Sequence, residues 1–151
     1  MKPGRDTIEQ RMRTFNAACA RLGIKITHQR MEIFRAVIST EEHPDAETIH
    51  RWVKKRIPTI SLDTVYRNLR LLAETDLIAI VGMSQENLRF DGNAHPHHHF
   101  VCVRCGMIRD FASNAPDSLQ TPKTARVFGE PLSVHLEVKG ICTGCRGDVR
   151  R

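Results

Sequence analysis

Apolar residues recur at helical spacing through the first part of the chain and give way to alternation in the second. Ile8, Met12, Phe15, Ala18, Cys19 and Leu22 predict a helix over residues 6–22, with Gly23 placed to stop it. Thr27 is a candidate cap for a second helix through about Ser39, whose apolar stripe is Met31, Phe34, Val37 and Ile38. Asp45, just after His43-Pro44, is a candidate N-cap for a third helix over Ala46–Arg56, which has to end before Pro58. Ser61 then caps a fourth, from Leu62 to about Glu74. Its Leu62, Val65, Leu69 and Leu72 share one face, while Thr64, Arg67 and Leu71 point away. Two short β-type runs follow, Leu77–Val81 and Asn87–Phe90, joined by polar Ser84, Gln85 and Glu86. Helices followed by a β-hairpin in this order predict a winged helix.

Helical periodicity stops near Asp91-Gly92-Asn93, where glycine, asparagine and Pro96 predict a hinge. Beyond it His98–Val103, Met107–Phe111 and Ser133–Ile141 alternate as strands. The stretch Asn114–Gly129 carries Leu119, Ala125 and Val127 at helical spacing, but Pro116 and Pro122 oppose a long helix. The expected fold class is α+β, with a winged helix over 1–91, a hinge over 92–96 and a small α/β domain over 97–151.

With 151 residues, 40% hydrophobic and 26% charged, the composition is that of a globular chain of one domain or two small ones. The longest apolar stretch, Leu77–Met83, is far short of the roughly 20 residues that cross a bilayer. The N-terminal MKPGRDTIEQRMR has no apolar segment of a secretion signal. Five cysteines cannot all pair within the chain, so the expected compartment is the reducing cytoplasm, with the thiols as metal ligands or redox centres. The formal charge of +6 permits an anionic partner. Only 5% of residues are aromatic, too few for a platform that stacks single-stranded bases, so duplex DNA fits better.

Cys102-Val-Arg-Cys105 and Cys142-Thr-Gly-Cys145 together offer four thiolates from two tight turns, a closed tetrahedral set for Zn2+. Gly106, Gly140 and Gly144 are placed to let these turns bend so that backbone N–H groups face the sulfurs. A redox dithiol pair or metal-free thiols are the alternatives, and no thioredoxin-like pattern surrounds either motif. Cys19, on the stripe of the first helix, is expected in the core.

His95-Pro-His97-His98-His99 holds four of the eight histidines. On a strand His97 and His99 project to one side and His98 to the other, so two imidazoles can meet one metal. Asp110 on the next strand, and Asp91 before the cluster, can add carboxylates. Such donors suit Fe2+, Mn2+ or Zn2+ and disfavour Cu(I). The alternative is a solvated His-rich turn, and isolated His28, His50 and His135 are expected on helix faces or the surface. Ser61-Leu-Asp-Thr-Val-Tyr-Arg-Asn-Leu-Arg70 is a capped amphipathic helix at the position of a winged-helix recognition element. Its outer face offers Thr64 and Arg67, with Tyr66 at the border. A solvated helix with a leucine stripe is the alternative.

The chain resembles the ferric uptake regulator family of metal-dependent bacterial transcription factors. The likeness runs through Gly23-Ile-Lys-Ile-Thr-His-Gln-Arg30, His43-Pro44, Thr64-Val-Tyr-Arg-Asn-Leu69, Arg89-Phe-Asp91 and both cysteine pairs. It implies that the second domain mediates homodimerisation, that structural zinc falls on Cys102, Cys105, Cys142 and Cys145, and that a regulatory ion falls on His43, Asp91, His97, His99 and Asp110. One ion held by all five would close the two domains into the form that binds a palindromic operator.

Asp110 resembles the peroxide-sensing branch, where iron-uptake regulators usually carry Glu. In that branch Fe2+ reacts with hydrogen peroxide and a ligand histidine is oxidised, here His43 or His97. Mn2+ supports repression without that sensitivity, and the genes controlled serve oxidative stress and metal homeostasis. This is sacrificial chemistry, so the chain is not expected to be an enzyme. A third family metal site needs histidines where this chain has Pro96 and Val134, and is expected to be absent. The segment around Pro122 looks less helical than the family's dimerisation helix. By the same resemblance Lys25 enters the minor groove, Tyr66 and Arg67 read the major groove, and Arg30 contacts phosphate. The alternatives are a repressor of iron or zinc uptake that responds to metal level only, a non-haem iron enzyme using His97, His99 and Asp110, and a zinc-ribbon interaction module.

Overall fold

Thr27, Asp45 and Ser61 open three successive helices by one device. In the computed structural model, which describes residues 5–82, 88–112 and 121–147, each side-chain oxygen accepts the N–H three residues on. Arg30 N lies 3.2 Å from Thr27 Oγ1, Thr48 N 2.8 Å from Asp45 Oδ1 and Thr64 N 3.1 Å from Ser61 Oγ. Each cap satisfies a donor that the helix cannot, an effect of about 1 kcal/mol. The helices are α1 (Arg5–Leu22), α2 (His28–Ile38), α3 (Ala46–Lys54) and α4 (Leu62–Glu74).

Gly23 ends α1 with φ 67°, and paired bonds from Gly23 N to Ala20 O (3.4 Å) and from Ile24 N to Cys19 O (2.9 Å) close its last turn. α3 stops at Lys54, two residues before the expected Arg56. There the N–H groups of both Arg56 and Ile57 turn back to Val53 O at 2.9 Å, tightening the chain ahead of Pro58.

The core of this first unit packs α1 to α4 around Phe15, Ile33, Phe34, Ile49, Val65 and Leu69, with Phe15 and Phe34 stacked at 4.3 Å. Cys19 is fully buried, as expected. Three stripes differ from the periodicity. In α1 Leu22 is exposed. Ile33 is buried where Met31 is only half-buried, and in α4 Asn68 is buried while Leu62 is half-buried. A short wing completes the unit: β1 (Ala79–Val81) pairs antiparallel with β2 (Arg89–Asp91), setting Ala79 opposite Asp91 and Val81 opposite Arg89. The expected linker Ser84-Gln85-Glu86 and the start of the second run at Asn87 lie outside the described residues.

The chain divides into two compact units, Met1–Ala94 and His95–Arg151. In the second, β3 (His98–Cys102) is the centre of a three-stranded sheet, antiparallel to β4 (Ile108–Phe111) and parallel to β5 (Glu137–Gly140). β5 is shorter than the expected Ser133–Ile141. Of the ambiguous stretch, Pro116 and Leu119 lie outside the described residues. Residues 121–136 hold a single 3-10 turn, Ala125–Val127, so the spacing of Ala125 and Val127 does not extend into a helix after Pro122. The second cysteine motif runs from Cys142 into a short helix, α5 (Thr143–Gly147), that periodicity did not show. Among the described residues no helix is long and apolar enough to cross a membrane.

Candidate metal centres and nucleic-acid interface

The two cysteine motifs converge at one end of the second unit's sheet. Cys102 is the last residue of β3, and Cys142 follows β5, which is paired to it with Cys102 opposite Gly140. A tight turn brings Cys105 back: Gly106 N bonds to Cys102 O at 2.9 Å, with Gly106 at φ 71°, a conformation only glycine adopts without strain. Of the three glycines expected to bend these turns, Gly106 alone has a left-handed φ. N–H groups that face sulfur include Cys142 N to Cys102 Sγ (3.3 Å) and Cys145 N to Cys142 Sγ (3.4 Å), with those of Cys105 and Arg104 also directed at Cys102.

All four sulfurs lie within 4.8 Å of one another. Cys105 and Cys142 are 3.8 Å apart, which is the edge of a tetrahedron whose vertices sit about 2.3 Å from a central Zn2+. Backbone N–H groups of Cys105 and Cys142 pull the Cys102 thiol down to about 6, against the opposing effect of burial. The Cys145 thiol is pushed up to about 12, because it shares its proton with the sulfurs of Cys142 and Cys105. Four crowded thiolates repel one another and the set retains a proton. A divalent cation is what lets all four ionise, so the donors fit structural zinc.

The second unit also builds a two-histidine, one-carboxylate set. The β3–β4 register places His99 directly opposite Asp110, and His97, just ahead of β3, turns its ring edge-on to His99. Nε2 of His97 and Nε2 of His99 are 2.9 Å apart, and each is 3.5 Å from Asp110 Oδ1. Ligands about 2.1 Å from one ion would be separated by about 3.0 Å at right angles and about 3.4 Å in a tetrahedron, so these edges fit three donors to one metal. His97 Nδ1 donates to His95 O at 2.6 Å, which leaves the Nε2 lone pair for a metal. His98 faces the other side, as alternation predicts. Its Nδ1 accepts from Leu136 N (3.3 Å) and its ring lies against Phe111.

In the first unit His43 and Asp91 form a buried pair, Nε2 to Oδ1 3.8 Å, at 2% and 5% exposure. Asp91 is the last residue of β2. The same strand holds His43 in register with it. Arg89 Nε donates to His43 O, Arg89 Nη2 donates to Glu42 O (3.0 Å), and Phe90 N donates to Pro44 O (3.0 Å). His43 has φ 50°, a left-handed backbone that costs about 1–3 kcal/mol in a non-glycine residue. The three bonds from Arg89 and Phe90 over-determine that conformation. Asn93 N caps Asp91 Oδ1 at 2.7 Å. Gly92 is packed so closely that a Cβ would lie 2.8 Å from Ile38 Cγ2. Sequence reasoning reached His43 only through resemblance. Arg89 was read only as part of the family resemblance and Gly92 only as a hinge residue, with no part in holding His43 or Asp91.

Of the expected DNA-facing residues, Lys25, Tyr66 and Arg67 are exposed. Arg67 pairs with Asp63 across one turn of α4 at 2.9 Å, both three-quarters exposed. Thr64 is less open than expected, since its hydroxyl lies 2.9 Å from Ser61 Oγ within the cap. Arg30 is half-buried, and its guanidinium donates to Lys25 O and to Asn68 Oδ1 rather than standing clear of the surface.

A capped helical unit with a two-stranded wing, followed by a small sheet that gathers four thiols and a two-histidine, one-carboxylate set, defines a metal-binding winged-helix protein. The chain belongs to the ferric uptake regulator family, whose sequence model matches residues 21–138. It is 30% identical over 141 residues to the peroxide-responsive repressor of Staphylococcus aureus strain Mu50, covering 93% of this chain and 95% of that one. The Campylobacter jejuni peroxide stress regulator is 25% identical with TM-score 0.66, over 78% of this chain and 88% of that chain. The Helicobacter pylori ferric uptake regulator shares the fold with TM-score 0.76 at 21% identity, over 95% and 96% of the two chains.

Proposed function

We propose that this chain is a metal-dependent, DNA-binding transcriptional repressor that senses hydrogen peroxide through oxidation of a ligand histidine. The observation that carries the reading is the His97–His99–Asp110 set, two imidazoles and the short carboxylate of the peroxide-sensing branch at metal-ligand spacing. Similarity to peroxide-responsive repressors supports it.

In this reading Cys102, Cys105, Cys142 and Cys145 hold structural Zn2+. His43 and Asp91 from the first unit join His97, His99 and Asp110 from the second around one Fe2+ or Mn2+. The buried His43–Asp91 pair supports the sharing, because Arg89 and Phe90 hold His43 in a left-handed conformation with its ring beside the Asp91 carboxylate. Ligands drawn from both units would bias the segment around 92–96 toward one arrangement, so occupancy sets DNA competence. The chemistry that Fe2+ supplies when bound is the reduction of hydrogen peroxide beside these imidazoles. By the family resemblance His43 and His97 are the rings expected to gain an oxygen, and loss of either as a donor weakens the clamp and releases the operator.

Lys25, Arg30, Thr64, Tyr66 and Arg67 form the DNA face, with Tyr66 and Arg67 on α4 toward the major groove and Lys25 toward the minor groove. A second copy of the chain is the expected partner on a palindrome. Phe128 and Leu132, more than nine-tenths exposed, support an apolar surface that a second copy covers.

The test loads the protein with Fe2+ or Mn2+, exposes it briefly to hydrogen peroxide, and follows mass and binding to an operator-like palindrome together. The expected result is one oxygen on His43 or His97 with Fe2+ alone, accompanied by loss of binding. If both forms stay unmodified and bound, the chain is a repressor that responds to metal level.

A further inference from the structure

The polar residue in the buried stripe of α4 is Asn68, 8% exposed among Val65, Leu69 and Leu72. An asparagine there weakens the helix relative to leucine and has to find partners for four hydrogen-bonding positions. Two of the four are met, in two directions. Its Nδ2 donates to Thr64 O at 2.8 Å, one turn back on α4, and its Oδ1 accepts from Arg30 Nε at 3.0 Å. Those two bonds fix the amide orientation.

Arg30 is itself pinned at the start of α2, where its N–H bonds to the Thr27 cap. Its Nη1 donates to the carbonyl of Lys25, so one planar guanidinium joins the α1–α2 loop to α4. Nε and Nη1 lie on a rigid fork that a lysine ammonium cannot reproduce. The Lys25 loop is tied at its other end as well, through Ile24 N to Cys19 O.

We propose that Arg30 and Asn68 form a strut that sets the Lys25 loop at a fixed distance from the outer face of α4, making the two DNA-contacting elements a single reader. The inference rests on the DNA-binding reading above and refines it. Arg30 acts as a positioning residue, through Lys25 and α4, in place of a simple phosphate contact. Asn68 is retained at a buried position because orientation of the reader depends on it.

The experiment compares wild type, Asn68→Leu and Arg30→Lys in the full-length zinc- and Mn2+-loaded protein. It measures affinity for an operator-like palindrome and for random duplex at several salt concentrations, and amide exchange at Ile24–Thr27 without DNA. Asn68→Leu matches the shape of the amide and removes both bonds while favouring the helix, so it should stay folded. Arg30→Lys keeps the charge.

The strut predicts that each variant binds the palindrome roughly tenfold more weakly, the effect of losing hydrogen bonds to a charged group. Random-duplex affinity and the salt slope stay unchanged, since no phosphate contact is lost, and exchange at Ile24–Thr27 quickens. A phosphate role for Arg30 predicts the opposite: Asn68→Leu is silent and Arg30→Lys keeps nearly full affinity. That outcome, or unchanged exchange in Asn68→Leu, overturns the strut. If exchange quickens but the wild type binds neither duplex, the DNA reading fails and the strut loses its role, a result that the DNA-free measurement separates from the first.

Discussion

Replacing Gly92 by alanine tests whether the close approach between α2 and the end of β2 positions Asp91. Gly92 has an ordinary negative φ, so an alanine is conformationally acceptable there and the effect is purely steric. The added Cβ would meet Ile38 Cγ2 at 2.8 Å, Ile38 Cα at 3.1 Å and Arg11 Nη2 at 3.2 Å. Ordinary carbon–carbon contact is about 3.5–4.0 Å, so the Asp91–Asn93 segment has to retreat by several tenths of an ångström.

Ile38 is fully buried and cannot swing aside, and Arg11 is held through Nη1 to Ile38 O at 3.2 Å. Overpacking of this kind costs about 1–3 kcal/mol. For a unit of this size that lowers the melting temperature by about 5–15 °C. The retreat also moves Asp91 relative to His43, so Mn2+ affinity should fall by about tenfold, roughly 1.4 kcal/mol of lost coordination. The assay pairs denaturant unfolding of the zinc-loaded protein with Mn2+ titration. Ile38→Leu removes the offending Cγ2, so the double variant should recover part of both losses. A Gly92→Ala protein with unchanged stability and unchanged Mn2+ affinity would refute the claim that this contact sets Asp91.

Burial opposes ionisation of Asp45, but its bonds from the Thr48 side chain and backbone, with Arg89 and Arg51 nearby, hold its carboxyl below the usual value. Its stabilising effect is therefore present above about pH 3.9 and lost as pH falls through the lower folded value. Asp45→Ala should cost about 1 kcal/mol at neutral pH, and urea titrations should show the gap to wild type closing in acid. At the cysteine centre protons compete with Zn2+ for sulfur. Zinc uptake should release protons, and affinity should fall as pH is lowered below about 12, where Cys145 takes up its proton, and more steeply below about 6, where Cys102 protonates as well. A competition assay showing no pH dependence would exclude thiolate ligation, and Cys105→Ser should reduce zinc content measured by metal analysis. Arg67→Ala should lower palindrome affinity more than random-duplex affinity, whereas Lys25→Ala should mainly weaken binding and flatten the salt slope by about one. Equal losses on both duplexes for Arg67→Ala would remove it from base reading. Asp63→Asn should raise affinity for both duplexes while stability changes by less than about 0.5 kcal/mol, because the exposed Asp63–Arg67 pair stabilises little.

Helices α1 to α4, and the caps of α2 to α4, were legible in the sequence because each is a local object. A Thr, Asp or Ser satisfies an N–H three residues away, and apolar residues at helical spacing define a buried face without knowledge of what lies opposite. The pairing of Cys102 and Cys105 with Cys142 and Cys145 was legible for a related reason, since two tight turns already group their sulfurs in pairs. His99 followed from strand alternation, whereas His97 lies just ahead of the strand. What remained was decided by contacts between residues distant in sequence.

No local pattern shows that Arg89 holds His43 in a left-handed conformation, that Gly92 is packed against Ile38, or that His99 is registered opposite Asp110. Those depend on which strand pairs with which, and at what offset. The Asn68 amide reads as an interruption in a leucine stripe until α2 brings Arg30 to it. Periodicity counts only the faces of one element, and it could neither show that Ile33 would be buried in place of Met31 nor fix where the strand ahead of Gly140 begins. The sequence determined the elements and the chemistry available to them. Tertiary packing decided which donors meet at ligand distance and which side chains hold them there, because register and close approach are properties of two segments at once.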